Sequence, residues 1–431
     1  MLGGPFNSEL IKTTSYKVIL PFYIYGAVSF LVATIMLLAS NQDFTGHYFN
    51  PHILAVTHTM ALGWGTMIIL GASHQLVPVL IEGRLYSEKL AMYTFYLAAI
   101  GIPVLVYAFY VFNMGPIAKW GGRFVVIAVL LYLINIAKSI DKSQHTNVHA
   151  VFVLGAVIWL FLTVLVGLAL VYNFTYLLLP KDHLHYLYFH AHLGIIGWFL
   201  LLVIGVGSRL IPMFMISKYT NTRLLWTIFV LINLALLFFV AFFYWMETLI
   251  GLTFIPVLFI LTAIILFGFY CFKAYQQRLR KQIDDQVKIS LLAVAMLMLP
   301  IIMLITVISL LITVTDQETN LILTYGFLVF FGWLTAIILG MTFKTLPFIV
   351  WNKVYHKKSS LGKTPNPKDL IHPGVFKIMA VAYLLGLVLF STGIILLSSM
   401  LLKTGAVCML LTAVLYNFNV FKVINHKAVT I

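Results

Sequence analysis

Twelve apolar runs, each long enough to cross a bilayer as a helix, constrain this chain more than any other feature of its sequence. They cover approximately residues 18–40, 53–80, 89–112, 122–138, 149–172, 186–216, 222–246, 249–273, 288–314, 320–350, 373–398 and 400–422. A spanning helix needs about 20 apolar residues, and the backbone must satisfy its own hydrogen bonds inside lipid. A β-barrel would instead show alternating segments of about ten residues. Composition agrees: 62% of the 431 residues are apolar and 9% are charged. Soluble domains average about 45–50% and about 25%. The first run follows Lys12 and Lys17, but no small-residue cleavage site follows it, so it reads as an uncleaved helix. The segment from Trp351 to His372, with Pro365 and Pro367, reads as a solvated linker.

Basic residues set an expected orientation. With both termini inside, all but four of the 27 Lys and Arg fall on the inner side. The four are Lys119, Arg123, Lys181 and Lys403, and the acids show no comparable bias. This is the positive-inside pattern. It predicts a multi-pass protein of a bacterial-type cytoplasmic membrane with both termini cytoplasmic. The net charge of +15 then follows from topology, and the basic inner loops suit anionic lipid. The lipid bilayer is the expected partner, and nucleic acid is not. The two cysteines, Cys271 and Cys408, lie in apolar runs, which excludes a disulfide framework and a Cys-based metal cluster.

Three of the runs repeat one another. Gly63-Trp64, Gly197-Trp198 and Gly332-Trp333 are spaced by 134 and 135 residues. Pro78, Pro212 and Pro347 keep those steps, and Gly71, Gly205 and Gly340 also match. The second, sixth and tenth spans are therefore equivalent, with four spans to a repeat. An even number of crossings leaves the copies parallel. The expected fold is an all-α integral membrane protein: one transmembrane domain of twelve helices, in three parallel four-helix repeats with pseudo-threefold symmetry. The arcs fall at about 18–148, 149–285 and 286–431.

Ionisable groups inside a membrane mark function by default. No carboxylate lies deep in any span. His58 and His192 each stand six residues before a matched Trp, hence at equal depth. Two neutral imidazoles at one depth on neighbouring inner helices suit axial ligation of a haem, with simple hydrogen bonds to helix carbonyls as the alternative. Gly63, Gly194 and Gly197 would leave room for a flat macrocycle. His190, about 200° around the helix from His192, should face another side, where a second haem, a copper ion or a simple hydrogen bond is open to it. The third repeat carries Tyr325 and Phe327 at those two positions. His47, His52, His183 and His185 form an outer rim, read as solvated loop residues with a copper or propionate role as the alternative. Gln75, Arg209 and Lys344 share an inner repeat position, where snorkelling to headgroups is expected. His74 and His149 lie at the same inner end, which a quinone or an anion could share.

The run His190-Ala191-His192-Leu193-Gly194-Ile195-Ile196-Gly197-Trp198 resembles the haem-ligating helix of subunit I of haem–copper oxidases, especially the cbb-type oxidase and nitric oxide reductase branch. His58-Thr59-Met60-Ala61-Leu62-Gly63-Trp64 is similar to that family's other low-spin haem helix. A looser likeness is to NnrS-type haem–copper membrane proteins. The resemblance implies one haem b held by His58 with His192 or His190, and electron transfer or oxygen- or nitric-oxide-related redox chemistry. It also implies a separate partner: a cytochrome c, a quinol donor or another redox subunit. The family's H-x-H motif sits on the tenth span and a His-His pair on the seventh; here H-x-H is on the sixth and the seventh has no histidine. A complete binuclear centre is therefore not expected, nor terminal oxidase activity of the chain alone. The rival from another class is a non-redox transporter or copper permease.

Overall fold

The structure, a computed structural model, describes residues 14–143, 147–243, 245, 250–313, 319–355 and 364–428. Lys12, the short gap at 247–248 and positions 356–363 of the basic linker lie outside them. Among the described residues twelve helices are long and apolar enough to cross a membrane. They are α1 (Tyr16–Ala39), α2 (Pro51–Leu80), α3 (Glu88–Tyr110), α4 (Pro116–Asp141), α5 (Val148–Tyr176), α6 (His183–Met215), α7 (Thr222–Phe243), α8 (Gly251–Gln276), α9 (Asp285–Thr313), α10 (Thr319–Tyr355), α11 (Pro373–Ile395) and α12 (Ser399–Ile424). Their starts follow local capping chemistry. Ser87, Asn147 and Asp182 side chains accept hydrogen bonds from the first-turn amides of α3, α5 and α6. The expected linker from Trp351 starts later than the sequence suggested, because α10 continues to Tyr355. Trp351 then donates to the Pro365 carbonyl at 2.6 Å, tying the linker back to the helix.

Burial separates an inner set from an outer one. In α2, α6 and α10, 78%, 72% and 72% of the most apolar window is buried, against 28–50% in the other spans. These are the helices with the Gly-Trp pairs. They meet at Gly65, where an added Cβ would lie 2.9 Å from Leu334 of α10 and 3.0 Å from Phe199 of α6. The matched glycines serve the neighbouring helices. Gly71 faces Phe22 of α1, Gly205 faces Phe152 of α5, and Gly340 faces Ser290 of α9. Small residues let membrane helices pack where lipid supplies no hydrophobic drive between them.

Each inner helix also contains a π-helical stretch: Thr59–Thr66, Leu193–Leu200 and Leu328–Leu334. Such turns are rare and cluster at functional sites. The wider turn frees backbone carbonyls that side chains then use, as when the Thr335 hydroxyl donates to the Phe330 carbonyl five residues back. Two of the three matched tryptophans bond across helices. Trp198 Nε1 donates to the Thr66 hydroxyl at 3.0 Å, and Trp64 Nε1 to the Thr335 hydroxyl at 3.3 Å. Thr66 and Thr335 occupy one register, at which α6 carries Leu200.

Candidate cofactor site

A cavity of about 950 Å³ lies among the N-terminal halves of α2, α6 and α10, immediately beside the π-helical stretches. That is at the upper end of the usual range for small-molecule and cofactor sites, about 300–1,000 Å³. His58, His190, His192 and Tyr325 are among the polar groups in a largely apolar wall. The imidazoles are half-buried, their open face turned to the cavity they line.

His58 and His190 are oriented by the backbone. His58 Nδ1–H donates to the Leu54 carbonyl one turn back at 2.8 Å. His190 Nδ1–H donates to the Thr163 carbonyl of α5 at 3.0 Å. A carbonyl can only accept, so each ring is held as the Nδ1–H tautomer, with Nε2 a bare lone pair. Neither Nε2 has a hydrogen-bond partner. The ring centroids are 6.3 Å apart and the planes lie within 13° of parallel. Gly167 of α5 makes room for His190: an added Cβ would lie 2.8 Å from its Cε1.

This pairing corrects the sequence-based expectation that His58 and His192 face each other. His192 turns the other way. Its Nδ1–H donates to the Tyr188 carbonyl at 2.8 Å, and its Nε2 accepts from the Tyr325 hydroxyl at 3.3 Å. Its ring lies 5.8 Å from that of Tyr325, at 15°. The reason is geometric. Residues at one register on like-oriented helices point the same way around a bundle, so contacts are head-to-tail between different positions. His58 therefore looks at His190, and His192 looks at Tyr325, the residue at the register of His190 on α10. Equal depth did not imply mutual facing.

Two of the three candidate glycines are also reassigned. An added Cβ on Gly63 would lie 2.9 Å from Ser29 of α1, and one on Gly197 would lie 2.6 Å from Trp159 of α5. Both serve helix crossings and not the cavity. Gly194 does line the cavity, with Thr163 3.2 Å from its added Cβ.

The rim histidines do not gather. His52 Nδ1 bonds Asp43 at 2.7 Å, His47 Nδ1 accepts from the Phe49 amide at 3.0 Å, and His183 stacks on Phe174 with centroids 3.7 Å apart. Among the described residues no group of three or more His, Cys, Asp or Glu could hold a metal ion. Tyr48, Asp182 and His185 also line the cavity. Burial, and then the Asp182 charge, raises the Tyr48 phenol above its ordinary value.

At the other end, Lys344 does not snorkel. Its Nζ pairs with Asp284 at 2.5 Å, and Arg280 joins the same carboxylate at 3.0 Å. Burial acts to raise the Asp284 pKa, but the Lys344 hydrogen bond and the charges of Lys344, Arg280 and Lys368 outweigh it and hold it below the ordinary value. His149 Nδ1 bonds the Gly205 carbonyl at 3.1 Å, and Gln75 is buried. His74 is fully buried between Phe22 and Tyr132, and neither ring nitrogen has a hydrogen-bond partner.

Sequence reasoning missed Gly167, Thr163 and the role of Tyr325. Tyr325 had a signal, since the repeat places it at the register of His190; Gly167 had none, because it belongs to no matched set. Compared with protein-family models and with curated proteins, the chain matches none.

Proposed function

We propose that this membrane protein holds one b-type haem through His58 and His190 and acts in electron transfer, as a member of the haem–copper oxidase subunit I-like superfamily. The observation that carries this reading is the His58–His190 pair. With metal–nitrogen bonds of about 2.0–2.1 Å and about 1.1 Å from nitrogen to ring centre, two imidazoles sharing one metal have centroids about 6.3 Å apart. The rings of His58 and His190 have that separation, near-parallel planes, bare Nε2 lone pairs and an apolar surround. The carbonyls of Leu54 and Thr163 are the outer partners that fix ring orientation and tautomer, as ligating histidines usually require. A haem bound there would be held by His58 and His190 and would supply a one-electron couple.

The twelve helices read best as three parallel four-helix repeats about a pseudo-threefold axis. The three π-helical stretches, the head-to-tail Trp–Thr bonds and the shared glycine contacts support this. In that arrangement His192 and Tyr325 repeat the geometry of His58 and His190 one helix further on. A cytochrome c, a quinol or another redox subunit would exchange electrons with the site, in a bacterial-type membrane with both termini cytoplasmic.

The test is a reduced-minus-oxidised spectrum with pyridine haemochrome on protein purified from haem-replete cells. The expected result is a low-spin b-type signature at about one haem per chain, lost in His58→Ala and in His190→Ala. A colourless wild-type protein would overturn the reading.

A further inference from the structure

The half of the cavity beyond His192 has its own chemistry. Because Nδ1–H of His192 is committed to the Tyr188 carbonyl, Nε2 can only accept. Its present donor, Tyr325 Oη, stands at 3.3 Å, long for a hydroxyl donor. The pair thus offers a bare acceptor next to a group that both donates and accepts. A hydroxyl matches both, giving its proton to Nε2 and accepting from Tyr325. A carbonyl could accept from Tyr325 but would leave Nε2 unpaired.

The surround suits a flat ring on an apolar tail. Phe239, Phe330 and Pro256 line the wall, and a Cβ added to Gly326, beside Tyr325, would meet nothing within 4 Å. The helical pattern of α9 is interrupted at Leu297, just before Pro300, and in Met298–Thr313 only Pro300 and Ile301 are buried. Leu304, Ile308 and Leu311 of that segment line the cavity. His190 and His192 are two residues apart on one helix, so a ring seated at His192 lies about one helix diameter, roughly 10 Å, from the His58–His190 pair.

We propose that this half of the cavity binds a membrane-soluble hydroquinone, with one ring hydroxyl seated between His192 Nε2 and Tyr325 Oη. The choice of a hydroquinone over other hydroxyl-headed amphiphiles rests on the haem reading above, which places an electron acceptor beside it. The binding itself does not need the haem.

The experiment uses the full chain in phosphatidylcholine nanodiscs, titrated anaerobically with decyl-hydroquinone. Binding is read by quenching of tryptophan fluorescence, since Trp198 and Trp333 line the cavity. Saturable binding is expected, with the dimethyl ether of the same probe, which has no O–H, at least tenfold weaker. His192→Phe and Tyr325→Phe should each weaken the hydroquinone about tenfold, roughly the worth of one hydrogen bond; His192→Phe should leave the ether unchanged, because the ether has no proton to give to Nε2. Equal binding of ether and hydroquinone by the wild-type chain would mean an apolar lodging only and would overturn the proposal. So would wild-type affinity in both variants. A colourless protein with hydroxyl-dependent binding ends the haem reading alone; a haem-loaded protein without it ends this one alone.

Discussion

Gly167 and His190 share one space: a Cβ on the glycine would lie 2.8 Å from His190 Cε1 and 3.4 Å from its Nδ1. The α5 backbone at Gly167 therefore sets where the imidazole can stand, while the Thr163 carbonyl on the same helix sets which nitrogen it presents. Gly167→Ala should push the His190 ring off its bond to Thr163. The expected outcome is a weakened or shifted low-spin spectrum with the helical content retained, checked by difference spectroscopy beside circular dichroism. An unchanged spectrum would show that Gly167 does not set the position of the His190 ring.

His192→Ala separates the two helix faces. It removes the partner of Tyr325 and nothing from the His58–His190 pair. The b-type signature should persist at near wild-type amplitude, whereas His190→Ala abolishes it. Were the reverse pattern recorded, α6 would be turned by about 200° from its position here.

The Trp–Thr bonds between inner helices should be modest in energy. Thr66→Val removes the acceptor of Trp198, and Thr335→Val that of Trp64. Hydrogen bonds between membrane helices average about 0.6 kcal/mol and reach about 1.7. Thr66→Val should lower stability within that range, and Thr335→Val by up to about twice as much because its hydroxyl also donates to the Phe330 carbonyl, both read from unfolding in mixed detergent. A loss well above these values would mean that the valine also disturbs packing.

The Lys344–Asp284–Arg280 cluster predicts a pH dependence. The folded state holds the Asp284 pKa below its ordinary 3.8, so the carboxylate contributes stability above that value and loses it as pH falls through the lowered one. Asp284→Asn should therefore be less stable than wild type at neutral pH, by about 1 kcal/mol. The gap should survive to pH 4 and close only at more acidic pH. A gap that closes between pH 5 and 7 would assign the effect to another group.

Gly205 tests the role of the matched glycines. An added Cβ there would collide with Phe152, a fully buried side chain of α5. Overpacking of this kind costs about 1–3 kcal/mol. Gly205→Ala should lower the melting temperature of the detergent-solubilised protein, and the double variant with Phe152→Leu should recover part of it.

Much of this architecture was legible in the residues. Runs of apolar residues set the twelve helices, because a backbone in lipid has no other way to pair its polar groups. The matched Gly-Trp and Pro positions singled out α2, α6 and α10, and burial makes those three the inner helices. Depth along a helix was readable as well, since it depends only on rise per residue. What faces what was not. The direction of a side chain matters only relative to the neighbour that packs beside it, and for the inner helices that neighbour is distant in sequence, as where Gly65 of α2 meets Leu334 of α10 and Phe199 of α6. Tertiary structure thus paired His58 with His190 and gave His192 to Tyr325. It also turned Lys344 from the headgroups to Asp284, because only folding brings the start of α9 beside the C-terminal half of α10.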